Sequence, residues 1–174
     1  RAADAICQYM HILSTPDEKI WVYKDGYYRP DGAVAIRQAF DRVAGNCFTI
    51  SARKEVMEKI FLRTLVEFDE LDKNPYLLCC RNGVVDLLTG TFSEHSPEYN
   101  ITMPIPVTYD PDAQPKAFLE FLEGACTNDD DRLTMLDWMV ACACLVEFEY
   151  LLFLLGHGSN GKRVYEHLLR KFFG

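Results

Sequence analysis

The sequence lacks any apolar run approaching the roughly 18 residues that a membrane-spanning helix needs, and it has no apolar core of a secretory leader. A chain that stays out of the membrane and in the cytoplasm is therefore expected. It also lacks any Cys-x₂-Cys pair. Its seven cysteines include the adjacent Cys79 and Cys80, and Cys142 and Cys144 within an apolar helical run. An odd count without metal-ligand spacing predicts buried, reduced thiols instead of disulfides or zinc. The four histidines (His11, His95, His157, His167) are scattered, so no metal site is expected. Positive charge is in deficit, with 18 basic against 26 acidic residues and a net charge of −8. That balance argues against a protein that coats nucleic acid, while leaving room for a local basic strip. Asp86 has no second carboxylate at a spacing that would pair with it, which favours a turn role over acid–base catalysis. Internal repeats and low-complexity tracts are absent as well.

What remains is ordinary globular material: 174 residues, 49% hydrophobic and 25% charged. A chain of this length buries roughly 70% of its extended surface, so a core without staples is within reach. It starts at Arg1 rather than methionine and stops at Gly174, and a piece of a longer protein is the expectation.

The most informative stretch is Tyr150-Leu151-Leu152-Phe153-Leu154-Leu155-Gly156-His157-Gly158-Ser159-Asn160-Gly161-Lys162-Arg163. Six apolar or aromatic residues end at a glycine loop, and an amphipathic segment over 164–173 follows. Such a run predicts a strand buried on both faces, as in a parallel sheet. Gly156 and Gly161 have the spacing of a phosphate-binding loop, with Lys162 after the second glycine. Glycines let backbone N–H groups turn toward phosphate oxygens; the lysine adds a point charge, and the next helix presents its positive end. The candidate phosphate-contacting residues are Gly156, Gly158, Ser159, Asn160, Gly161, Lys162 and Arg163. One position departs from the pattern: Arg163 stands where a Ser or Thr hydroxyl would ligate Mg²⁺. The alternative is a plain strand-to-helix turn with Lys162 solvated.

Upstream, residues 2–13 read as a helix. Ile20-Trp21-Val22-Tyr23, Asp25-Gly26 and Tyr27-Tyr28-Arg29 form a hairpin signal, with the aromatics packing across strands in preference to stacking on bases. A helix is expected over 33–44, stopped by Gly45-Asn46, and a longer one from an N-cap at Ser51 to about Leu71. The outer face of the second carries Arg53, Lys54, Lys59 and Arg63, the best nucleic-acid candidates, although Glu55, Glu58 and Glu67 interrupt them and a solvated charged face competes. Residues 76–92 read as a small antiparallel unit with two glycine turns. A polar loop follows over 93–100, and then an extended segment, 103–107, whose prolines keep it off a central strand. Tyr109-Asp110-Pro111-Asp112-Ala113 is a turn cluster. Pro115 suits a first helical turn, and Phe118, Phe121, Leu122 and Ala125 make one apolar face. Residues 128–131 cap a helix expected to run to about Val146, its second half buried all round. The divisions drawn from this pattern are 1–112, a helical connector over 113–148, and 149–174.

Four of these features, in this order, resemble viral, phage and plasmid primase–helicases, the poxvirus-type superfamily-three helicases. They are the Asn82-Gly83-Val84 to Asp86-Leu87 turn with Thr89-Gly90; the Tyr109-Asp110-Pro111 turn; Pro115 leading into Phe118, Phe121 and Leu122; and Gly156 through Lys162. The resemblance implies an α+β fold, mostly helical with small antiparallel β units, followed by the first strand, phosphate loop and helix of a truncated α/β (AAA+-like) ATPase core. It also implies ATP with Mg²⁺ as cofactors, DNA and a primase domain or subunit as partners, and a homo-oligomeric ring. By position, Lys162 would meet the β- and γ-phosphates and the backbone of 158–161 would cradle them. Arg163 leaves the Mg²⁺ hydroxyl without a counterpart, and the remaining catalytic parts would lie beyond Gly174, so no catalytic residue and no turnover are expected of this chain alone. Two other readings stay open. One is a non-catalytic DNA-binding, primase-binding or oligomerisation module with a degenerate loop; the other is an unrelated phosphate-loop kinase or NTPase.

Overall fold

Alternation of aromatic and β-branched residues around Asp25-Gly26 produces the first hairpin in a computed structural model of the chain, which describes residues 2–44, 49–144, 149–158 and 160–174. The helix stop at Gly45-Asn46, the helix end at Val146 and the loop residue Ser159 lie outside these described residues. The described residues form six α-helices and two antiparallel three-stranded sheets, an α+β arrangement. They divide into two compact units: Arg1–Lys73 with His95–Met103, and Asn74–Glu94 with Pro104–Gly174.

The first unit contains α1 (Ala2–Tyr9), β1 (Ile12–Ser14), β2 (Ile20–Lys24), β3 (Tyr27–Arg29), α2 (Gly32–Ala44) and α3 (Ile50–Arg63). β2 is central, antiparallel to both neighbours, with Val22 opposite Ile12 and Arg29. Its turn residues Asp25 and Gly26 both have positive φ (56° and 96°), the twist a two-residue hairpin requires. Ala3, Ile6, Ile12, Ile20, Ile36, Phe40 and Ile60 form the core, and Ile36 and Ile60 are fully buried. Each such side chain contributes about 1.5–3 kcal/mol by leaving water. Trp21 and the tyrosines serve the sheet. The Trp21 indole N–H donates to Thr15 Oγ1 at 3.2 Å, and the Tyr23 and Tyr28 rings meet edge to face at 5.3 Å.

Two expectations fail here. The helix over 2–13 stops at Tyr9, because residues 12–14 satisfy their backbone on β2 instead; pairing outweighs local helical preference. The helix expected from Ser51 to Leu71 instead begins at Ile50, after an N-cap at Thr49 whose side chain accepts from the Ala52 N–H, and it ends at Arg63. There the Thr64 carbonyl accepts from the Ser14 N–H (2.8 Å) and the Val66 N–H donates to the Ser14 carbonyl (2.9 Å), so the chain leaves the helix to pair with β1. Residues of the second stretch finish the unit, with the Tyr28 N–H donating to the Ile101 carbonyl and the Thr102 N–H donating to Asp72 Oδ1.

The second unit holds β4 (Leu77–Cys80), β5 (Gly83–Asp86), β6 (Phe92–Ser93), α4 (Lys116–Ala125), α5 (Asp129–Ala143) and α6 (Lys162–Phe173). β5 is central, and Cys79 forms a single bridge to Pro104, which keeps the proline segment at an edge. Asp86 caps its turn, accepting from the Leu88 N–H at 2.8 Å and the Thr89 N–H at 3.3 Å. The Asn82 side chain clamps the backbone of Tyr109 twice, at 2.9 and 2.8 Å, so the two turns that are 27 residues apart are held together. Asn128 caps α5 by accepting from the Asp131 N–H at 2.8 Å. The second half of α5 is not buried all round: Val140 is 59% exposed, because one side only meets the cluster of Leu122, Met135 and Tyr165.

A larger correction concerns residues 150–155. They form no strand. Leu152 and Leu154 pack on the Leu122–Met135–Tyr165 cluster, whereas Tyr150, Leu151, Phe153 and Leu155 are 77, 82, 74 and 89% exposed. The apolar run has the alternation of a strand, but both sheets of the described residues are formed by other segments. A strand exists through its neighbours' hydrogen bonds, and composition alone does not supply them.

Candidate phosphate-binding site

The glycine loop is seated at both ends by the second unit. α6 begins at Lys162, and its cap, Gly161, has φ +87°, a left-handed conformation that a Cβ would strain. A Cβ there would also stand 2.9 Å from the Phe121 ring, so the loop exit fits closely against α4. Tyr165, one turn into α6, is fully buried, and its hydroxyl donates to the Met135 carbonyl at 2.6 Å. Burial pushes the Tyr165 hydroxyl up to about 12. The first turn of α6 is thus fixed to both α4 and α5, which orients the helix N-terminus toward the loop.

Lys162 curls back over the loop. Its ammonium donates to the Gly156 carbonyl (2.9 Å), the His157 carbonyl (2.9 Å) and Asn160 Oδ1 (2.6 Å). All three N–H donors of the ammonium have acceptors, and each acceptor belongs to the loop. A Cβ on Gly156 would overlap the Asn160 amide, which explains the glycine at the loop entrance. The loop therefore turns carbonyl and side-chain oxygens to the lysine. Phosphate oxygens would compete for the same three donors.

Of the seven residues named from the sequence, Gly156, Asn160, Gly161 and Lys162 line one cavity of about 670 Å³, together with Leu152–Leu155 and His157. Gly158 is exposed and open, and Ser159 lies outside the described residues. Arg163 is exposed and makes no hydrogen bond or ion pair with the described residues. The opposite wall comes from Cys126, Thr127, Asp131 and Thr134 at the α4–α5 turn. Sequence reasoning missed that wall, because the Asn128 cap explains those residues locally and only the tertiary fold brings them to the loop. Among the described residues, no group of three or more His, Cys, Asp or Glu side chains could hold a metal ion. No oxygen ligand stands at Arg163, so the residues present do not fit Mg²⁺ in the manner of a phosphate loop.

The proposed nucleic-acid strip is divided. Lys59 pairs with Glu55 at 2.6 Å and Arg63 with Asp4, while Arg53 stands 3.9 Å from Asp41 and Lys54 has no partner among the described residues.

Residues 3–126, well over half of the chain, match the family described as D5 N terminal like. The chain belongs to the D5 N-terminal-like family. That family is the N-terminal domain of D5-like primase–helicase proteins, and the match points to the N-terminal region of such a protein. It takes in the Asn82–Tyr109 clamp and α4, and it stops before α5 and the glycine loop. Among curated proteins, none matches the chain. No helix of the described residues is long and apolar enough to cross a membrane.

Proposed function

We propose that the chain is the N-terminal region of a replicative primase–helicase together with its phosphate loop, and that the loop binds the phosphates of ATP. The observation that carries the reading is the Lys162 ammonium, folded into a loop of Gly156 and Gly161 at the N-terminus of a 12-residue helix. On binding, triphosphate oxygens take over the donors that now serve Gly156, His157 and Asn160, and the helix end adds its positive potential. In this reading the solvent-facing Leu151, Phe153 and Leu155 are covered by other parts of the ATPase core. The motor's DNA track, its primase neighbour and its homo-oligomeric ring are parts of the same proposal.

Arg163 gives this loop a distinct chemistry. With a cation where the metal-binding hydroxyl would stand, nucleotide is held by charge and amides, and Mg²⁺ adds nothing to affinity. Hydrolysis by phosphoryl transfer needs several positioned charges, so the chain alone binds ATP without turning it over. Titration with a fluorescent ATP analogue, with and without Mg²⁺, tests this. Saturable, Mg²⁺-independent binding weakened at least ten-fold by Lys162→Ala is expected. Binding indifferent to Lys162→Ala removes the nucleotide role and leaves an accessory module.

A further inference from the structure

The first unit has its own opening, a cavity of about 690 Å³ that the glycine loop does not share. Arg53, Lys54, Met57, Glu58 and Phe61 of α3 line it at three- and four-residue spacing, together with Ile20 of β2 and Arg37 of α2. Its size lies in the range of small-ligand sites, roughly 300–1,000 Å³. Chemically it is two-faced. Ile20, Ile50, Met57 and Phe61 give it an apolar and aromatic lining, and Arg37, Arg53 and Lys54 add three cations, opposed by Glu18 and Glu58. α2 and α3 together carry six basic and three acidic residues, in a chain whose net charge is −8. The positive charge is therefore concentrated here against the trend of the molecule.

Which cations are free is decided by their partners. Lys59 and Arg63 are engaged by Glu55 and Asp4. Arg37 and Lys54 are exposed, line the opening and have no partner among the described residues, and Arg53 is held only loosely at 3.9 Å by Asp41. Arg37 belongs to no strip visible in the sequence; only the packing of α2 on α3 brings it to Lys54. A lining that combines aromatic and thioether groups with guanidinium and ammonium groups matches a flat base attached to a phosphate. We infer that this cleft seats a nucleotide unit of single-stranded nucleic acid, with the backbone phosphates on Arg37, Arg53 and Lys54 and a base against Met57 and Phe61. The inference rests on the DNA partnership of the proposed function and gives it a site on this chain, and it does not depend on the glycine loop.

The test uses the full chain and a fluorescently labelled 12-nucleotide oligo-dT, followed by anisotropy over a range of salt. Arg37→Gln with Lys54→Gln should weaken binding at least ten-fold and lower the salt slope by about 1.4, the value for two lost single-strand phosphate contacts. Lys59→Gln with Arg63→Gln should change affinity less than three-fold. All four exchanged side chains are exposed, and unaltered circular dichroism checks the fold of each variant. Thymidine monophosphate, titrated separately, should bind more weakly than the strand and with the same dependence on Arg37. Equal losses from both double variants, displacement of the oligonucleotide by polyglutamate, or binding of the mononucleotide without the strand would each overturn the inference.

Discussion

Two apolar stretches of similar composition have opposite fates. Ile20-Trp21-Val22-Tyr23 and Leu151-Leu152-Phe153-Leu154 both read as strands, and only the first becomes one. β2 has a strand on each edge, and its inward residues Ile20 and Val22 are 8 and 5% exposed. The later stretch keeps the in–out alternation, with Leu152 and Leu154 packed inward, yet Leu151 and Phe153 stay open to solvent and its backbone joins no ladder. Hydrophobic content sets the demand for burial. Partners on either edge decide whether a strand meets it.

The comparison can be broken most forcefully in the first core. Ile60→Ala or Ile36→Ala should lower the unfolding free energy by about 3 kcal/mol in a denaturant titration, since both side chains are fully buried among other apolar groups. A loss below about 1 kcal/mol would mean that this core is looser than described. Next comes the loop exit: Gly161→Val forces a β-branched residue into φ +87° against Phe121 and should cost about 2 kcal/mol, read from the same titration. Tyr165→Phe removes the hydroxyl bond to Met135 and should cost about 1 kcal/mol.

Alkaline pH sharpens the contrast further, because each unit buries one tyrosine whose hydroxyl is pushed up to about 12 by desolvation, Tyr28 in the first and Tyr165 in the second. A raised folded pKa favours the neutral form. The unfolded chain therefore ionises first near pH 10, and stability falls as pH climbs from 10 toward 12. Thermal melts should show that decline, and either Tyr→Phe variant should flatten it. The smallest effect belongs to the exposed run: Leu151→Ser should shift stability by less than about 0.5 kcal/mol. A shift above 1 kcal/mol would place Leu151 in a core.

Local chemistry was legible in the sequence wherever a few neighbouring residues determine the outcome. The Asp25-Gly26 hairpin, the turn held by Asp86 and the Asn128 cap all follow from side chains within four positions of the backbone they serve. Features made by distant partners were hidden. β1 looks helical until Ser14 is placed between Ile20 and Leu65, and α3 ends at Arg63 because Thr64 is wanted by Ser14. The site divides in the same way. Gly161 and Lys162 are candidates by spacing alone, whereas Thr127 and Thr134 reach the loop only through the packing of α5, and Arg37 shares a cavity with Lys54 only across two helices.

The central claim is that Lys162 and its loop exchange internal oxygens for phosphate oxygens. Amide NMR of the isotopically labelled chain, during addition of ATP without Mg²⁺, reads that exchange most directly. The account predicts saturable shifts at Gly156, His157, Gly158, Asn160, Gly161 and Lys162 that vanish in Lys162→Ala. Unmoved resonances at these residues under saturating ATP, or shifts that persist without the lysine, would contradict it.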